Sequence, residues 1–154
     1  MIIRKMQADF GCLEGKPLEL EPGLNTIRQP NESGKSTWCA FIRAMLYGVD
    51  TSERQKSGFL PDKLRYAPWS GAPMSGSMEL EYGGREITLT RSTRTASAPM
   101  REFKAVYTGT AEPVPGLTGA TAGETLVGAG REVFRRSAFI GQGEAAVTGS
   151  AELE

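Results

Sequence analysis

Eight consecutive residues, Pro30-Asn31-Glu32-Ser33-Gly34-Lys35-Ser36-Thr37, have the types and spacing to hold a polyphosphate. A glycine followed by a lysine and two hydroxyl residues, at the start of a helix, lets successive main-chain N–H groups curl around a phosphate. The helix that follows adds the positive end of its dipole. In that arrangement the Lys35 ammonium reaches the terminal phosphate oxygens and the Ser36 hydroxyl ligates Mg²⁺, while Gly34 keeps a side chain out of the gap between backbone and phosphate. The candidate binding set is Asn31, Glu32, Ser33, Gly34, Lys35, Ser36 and Thr37, with ATP and Mg²⁺ as the expected ligands. The full motif begins with a glycine six residues before the lysine, and that position is Gln29 here. Either Gln29 takes an uncommon backbone conformation, or the loop opens differently. The bland alternative is a Gly/Ser-rich turn ahead of an amphipathic helix; context and motif together argue against it.

Such a loop needs a strand before it and a helix after it. Leu24–Ile27 is an apolar β-type run and is expected to be the strand that feeds the loop. A helix is expected from Ser36 or Thr37 to about Tyr47, with Phe41, Ile42, Met45 and Leu46 on one face and Gly48 ending it. Before the loop, Ile2–Phe10 and Pro17–Leu20 read as strands around turns at Phe10-Gly11 and Glu21-Pro22-Gly23. Together they predict an α/β fold: a mixed sheet with an antiparallel portion beside a mainly parallel one. Asp50 to Ser77 is loop-like, and so long a loop is often functional or mobile. Within it, Arg65-Tyr66-Ala67-Pro68-Trp69 has two readings. It either lies over a nucleotide base or, more simply, packs against the sheet. Met78–Tyr82 and Arg85–Arg91 flank Gly83-Gly84, a strong two-residue hairpin signal. Phe103–Tyr107 reads as a further strand. Short helices are expected at Gly123–Leu126 and Arg131–Arg136, with Val133 and Phe134 inward, and Ala138-Phe139-Ile140 as a strand end.

At 154 residues and 39% apolar, the chain is expected to form one domain or a large part of one. Lys and Arg balance Asp and Glu at 18 each, so net charge makes no case for nucleic acid. Arg85, Arg91, Arg94, Arg101 and Lys104 make the middle locally basic, best read as a solvated surface. The sequence has no histidine, which excludes imidazole metal sites, Ser–His triads and His-based acid–base catalysis. Its two cysteines, Cys12 and Cys39, are too few and wrongly spaced for a disulfide framework or a zinc site. No signal peptide or membrane-length apolar run is present, so a cytoplasmic setting is expected.

The order of these landmarks resembles the N-terminal half of the head domain in SMC/RecN/YhaN-like ATPases. These are ABC-type P-loop proteins with long coiled coils, and they include the DNA double-strand-break repair ATPase that partners a nuclease. The resemblance rests on Phe10-Gly11, Pro22-Gly23-Leu24-Asn25, Pro30–Thr37, Phe41–Gly48 and Phe139-Ile140-Gly141-Gln142-Gly143-Glu144. It implies a P-loop NTPase fold, with residues 1–154 as the N-terminal lobe of a head. By the same resemblance Gln142 matches the Q-loop glutamine, a ligand for Mg²⁺ beside Ser36 and a sensor of the γ-phosphate.

Two family features are missing from the sequence. No apolar strand ends in the Asp-Glu pair that positions Mg²⁺ and activates water, and no Leu-Ser-Gly-Gly signature is present. In the resembled family both follow the coiled coil. The resemblance therefore implies a fragment without catalytic residues of its own. Its hydrolysis would need an absent C-terminal lobe and a second head that joins it as a homodimer on ATP. DNA as the eventual substrate rests on the resemblance alone. The competing reading is a non-catalytic interaction module whose loop Gln29 has spoiled. A GTPase lacks its Asn-Lys-x-Asp motif here, and a small-molecule kinase lacks a catalytic acid and lid arginines that can be placed.

Overall fold

The computed structural model describes residues 1–140. Among these, five strands and four helices follow one another: β1 (Ile2–Phe10), β2 (Leu13–Glu19), α1 (Lys35–Tyr47), α2 (Asp62–Arg65), β3 (Ser75–Tyr82), β4 (Arg85–Ser92), β5 (Glu102–Tyr107), α3 (Ala122–Val127) and α4 (Arg131–Ala138). The strands form one sheet in the order β2-β1-β3-β4-β5, and every neighbouring pair is antiparallel. The α/β class holds, but the mainly parallel portion expected from the sequence is not found among the described residues.

Local chemistry explains the pairings. Gly83 and Gly84 have φ of 59° and 74°, the left-handed values that a tight two-residue turn between β3 and β4 requires. Pro17 lies in β2, an edge strand whose outer side needs no ladder donor, which is where a sheet tolerates proline. One face of the sheet is apolar by simple alternation: Met6, Ala8 and Phe10 on β1, Met78 and Leu80 on β3, and Ile87 and Leu89 on β4 are all buried. Helix α1 covers this face with Trp38, Phe41, Ala44 and Met45. The Phe41 ring sits so close over β3 that a Cβ at Gly76 would collide with it, and would meet the Gln7 carbonyl oxygen at 2.6 Å. Glycine at this point is what lets the helix reach the sheet.

Three sequence expectations are corrected. Leu24–Ile27 is not a strand: the stretch from Gly23 to Pro30 makes no ladder, and Leu24 is 96% exposed. Four residues of β-type sequence have no cause to stay extended without a neighbouring strand. Val133 is 61% exposed and Phe134 alone of the pair points inward, packing edge-on against Phe139. Ala138 belongs to α4 and Phe139-Ile140 forms no strand. Gln142 lies outside the described residues. No helix among the described residues is long and apolar enough to cross a membrane.

Candidate functional site

Helix α1 begins at Lys35 without any protein cap. Its N-cap residue is Gly34, at φ 98° and ψ 11°, no side chain bonds back to the helix start, and no acidic residue occupies the first turn. The first helical hydrogen bond runs from Trp38 N to Gly34 O at 3.0 Å. The leading N–H groups therefore lack intrahelical acceptors and carry the positive end of the dipole. Glycine at position 34 is doubly required. Its φ is left-handed, and an added Cβ would stand 2.8 Å from Leu13 Cδ2 and 2.9 Å from Cys12 Sγ.

The loop ahead of α1 is drawn closed by its own lysine. Lys35 Nζ donates to the carbonyl oxygens of Gln29 and Pro30, each at 2.7 Å. An ammonium group has three donors, so one remains for a further acceptor. Glu32 is left-handed at φ 64°, whereas Gln29 is not among the residues with positive φ. Of the two alternatives for Gln29, the uncommon backbone is not found there; the left-handed residue is Glu32, three positions later, and Gln29 contributes its main-chain oxygen to the ring. In the same loop the Ser33 hydroxyl is buried with no hydrogen-bond partner, an unusual state for a polar atom. On the sheet side, Cys12 Sγ lies 3.6 Å from Thr37 Oγ1.

A cavity of about 530 Å³ opens over this loop, lined by Cys12, Asn31, Glu32, Gly34, Lys35, Ser36, Thr37 and Trp69. Six of the seven loop residues singled out from the sequence thus share one concave surface, and Ser33 is held between two of them. Of the basic residues read as solvated surface, Arg85, Arg94, Arg101 and Lys104 are exposed, but Arg91 is buried at 2% exposure. It follows Ile87 and Leu89 on the inward face of β4. It donates from Nε to Met45 O at 2.9 Å, from one terminal nitrogen to Met100 O at 3.1 Å, and from the other to Gly119 O at 2.7 Å. Its guanidinium also stands 4.7 Å from the centre of the Phe103 ring. Burial, assisted by the nearby Arg131, pushes its pKa down to about 10, so it stays charged at ordinary pH.

The far end of α1 is thereby fixed by cations, which suit the negative end of a helix. Arg131 donates to Gly48 O at 2.9 Å, and Tyr47 Oη donates to Ala129 O at 2.7 Å. A family model described as an AAA domain matches residues 1–136, which span the loop, the sheet and nearly all of α4. The chain belongs to the AAA domain family. It is accordingly a nucleotide-binding, ATPase-like domain. A search of curated proteins finds no match.

Within this AAA domain, Cys12 and the buried place of Arg91 escaped the reading of the sequence, and Trp69 was read only as part of a segment with two alternatives. Cys12 is brought to the loop by the β1–β2 turn, which no local pattern foretells. Trp69 reaches the cavity from the segment between α2 and β3, whereas its neighbour Tyr66 stacks on Phe10 with ring centres 5.0 Å apart. Of the two readings of this segment, packing against the sheet describes Tyr66, while Trp69 lines the cavity. Arg91 had a usable signal: the period-two alternation that buries Ile87 and Leu89 points to it next.

Proposed function

We propose that the Pro30–Thr37 loop is a P-loop that binds ATP with Mg²⁺. The observation that carries this reading is an uncapped helix N-terminus meeting a lysine-closed loop at the wall of one cavity, with the buried hydroxyl of Ser33 left unpartnered in the same loop. These are donors without acceptors, arranged around a concavity, and a polyanion supplies acceptors. The main-chain N–H groups from Ser33 to Thr37 hold phosphate oxygens. Lys35 uses its remaining donor on the terminal phosphates, and the Ser36 hydroxyl ligates Mg²⁺. Asn31 and Glu32 line the cavity, and by the Q-loop resemblance Gln142 joins the metal site.

The wider reading is that residues 1–154 form the N-terminal lobe of an SMC-like ATPase head. Its sequence has no apolar strand ending in the water-activating Asp-Glu pair, so hydrolysis draws on a C-terminal lobe and on a second head closing over the nucleotide. Head closure and release would then act on DNA in repair or chromosome maintenance, in the cytoplasm.

Titration calorimetry of the purified chain with ATP·Mg²⁺ tests the core of this. Binding is expected in the parent and is expected to vanish in Lys35→Ala with the fold intact by circular dichroism. A parent with no heat signal would favour the interaction module with a degenerate loop. Equal binding by parent and Lys35→Ala would place the nucleotide elsewhere.

A further inference from the structure

We infer that Trp69 is the platform on which the base of the bound nucleotide stacks, an inference that rests on the nucleotide-binding reading above. A tryptophan left 72% exposed is unusual in a domain that buries its other indole, Trp38, to 6%. It stands in the wall of the same cavity as Gly34, Lys35 and Thr37. The chain on either side of it is held in place. Trp69 N donates to Gly11 O at 3.0 Å, and Gly11 N donates to Tyr66 O at 2.7 Å. Gly71 N closes a turn onto Pro68 O at 2.9 Å, and Pro68 is itself buried. Tyr66 anchors the segment by stacking on Phe10 of β1, with ring planes 15° apart. The backbone is therefore pinned to the β1–β2 turn while the indole remains uncovered.

The cavity has two chemically distinct parts. One is a ring of amides with an ammonium, suited to polyphosphate; the other is an uncovered aromatic plane carried on a held backbone. A ligand with a polyanionic tail and a flat aromatic head satisfies both, and a nucleoside triphosphate is such a ligand. At about 530 Å³ the space is within the range that holds small-molecule ligands whole, so it is not restricted to the phosphates. Stacking depends on the π-face that every base has, so Trp69 strengthens GTP binding as it does ATP binding.

The test separates base from phosphate. Dissociation constants are measured for ATP·Mg²⁺, GTP·Mg²⁺ and inorganic tripolyphosphate·Mg²⁺ on the parent, Trp69→Ala and Trp69→Phe. Trp69→Ala is expected to weaken ATP and GTP alike by roughly 10- to 100-fold and to leave tripolyphosphate unchanged. Trp69→Phe should keep most of the nucleotide affinity. Nucleotide should also quench the parent's tryptophan fluorescence but not that of Trp69→Phe, in which only the buried Trp38 remains. ATP binding that ignores Trp69→Ala, or a loss shared equally by tripolyphosphate, overturns the inference and leaves the phosphate site standing. A parent that binds neither ATP nor tripolyphosphate removes the phosphate site and the platform together.

Discussion

Single side chains decide whether the loop can exist. Gly34 is the clearest case, because two independent constraints act on one atom position: the left-handed φ of 98° and the sulfur and methyl groups below 3 Å from an added Cβ. Relief would require Leu13 and Cys12 to move, and Leu13 is fully buried in the core. Gly34→Ala is therefore expected to destabilise the domain by about 1–3 kcal/mol and to abolish ATP·Mg²⁺ binding. Denaturant titration reads the first effect and calorimetry the second. A variant as stable and as competent as the parent would mean that the loop is not held in this conformation. Gln29 carries no such burden. Its side chain is exposed and its carbonyl does the bonding to Lys35, so Gln29→Gly should change affinity less than threefold.

At the level of elements, sequence legibility followed the range of the interaction. The Gly83-Gly84 hairpin, the extent of α1 and the Gly48 stop were readable because each is fixed by neighbours within one turn of chain. The Leu24–Ile27 strand was not, since a strand is completed by whatever lies beside it and four residues cannot specify that partner. The direction of the sheet failed for the same reason. Of the site, the loop residues were legible as a motif, while Cys12 and Trp69 arrive by tertiary folding. Arg91 shows how a residue type can mislead: its charge suggested solvent, yet its strand position put it inward. Because Arg91 joins α1 to the segments at Met100 and Gly119, removing it strands three carbonyl oxygens. Arg91→Met is expected to cost about 3–5 kcal/mol in denaturant unfolding. Arg91→Lys should recover less than half, because one ammonium cannot span three acceptors in a fork. The folded pKa of about 10 is well below the ordinary arginine value, so the folded state releases this proton first. The burial penalty is then constant below pH 10, and only above it would stability rise with pH on this account. A loss under 1 kcal/mol in Arg91→Met would show that other donors take over.

Across the whole molecule, binding and hydrolysis come apart. One end of α1 presents unpaired donors to the cavity, while its other end is tied to α4 and to the β4–β5 region by Arg131 and Arg91. The helix is thus a fixed strut, and a ligand at its start binds the folded chain and not the unfolded one. By mass action, ATP·Mg²⁺ at a hundred times its dissociation constant adds about 2.7 kcal/mol of stability, which for a chain of this size raises the thermal midpoint by roughly 5–10 °C. Lys35→Ala should lose the whole shift, and Trp69→Phe should keep most of it. Phosphate release is a separate matter, because in-line attack needs a carboxylate to orient water and the sequence has no apolar strand ending in the Asp-Glu pair that does so. Phosphate release from ATP is therefore expected to stay at the buffer background even when the thermal shift is complete. Gln29→Gly should not raise it, since that change reshapes the loop without adding an acid. Turnover that exceeds background and disappears in Lys35→Ala would show that the domain carries a catalytic group of its own, and the dependence on a second lobe would then be abandoned.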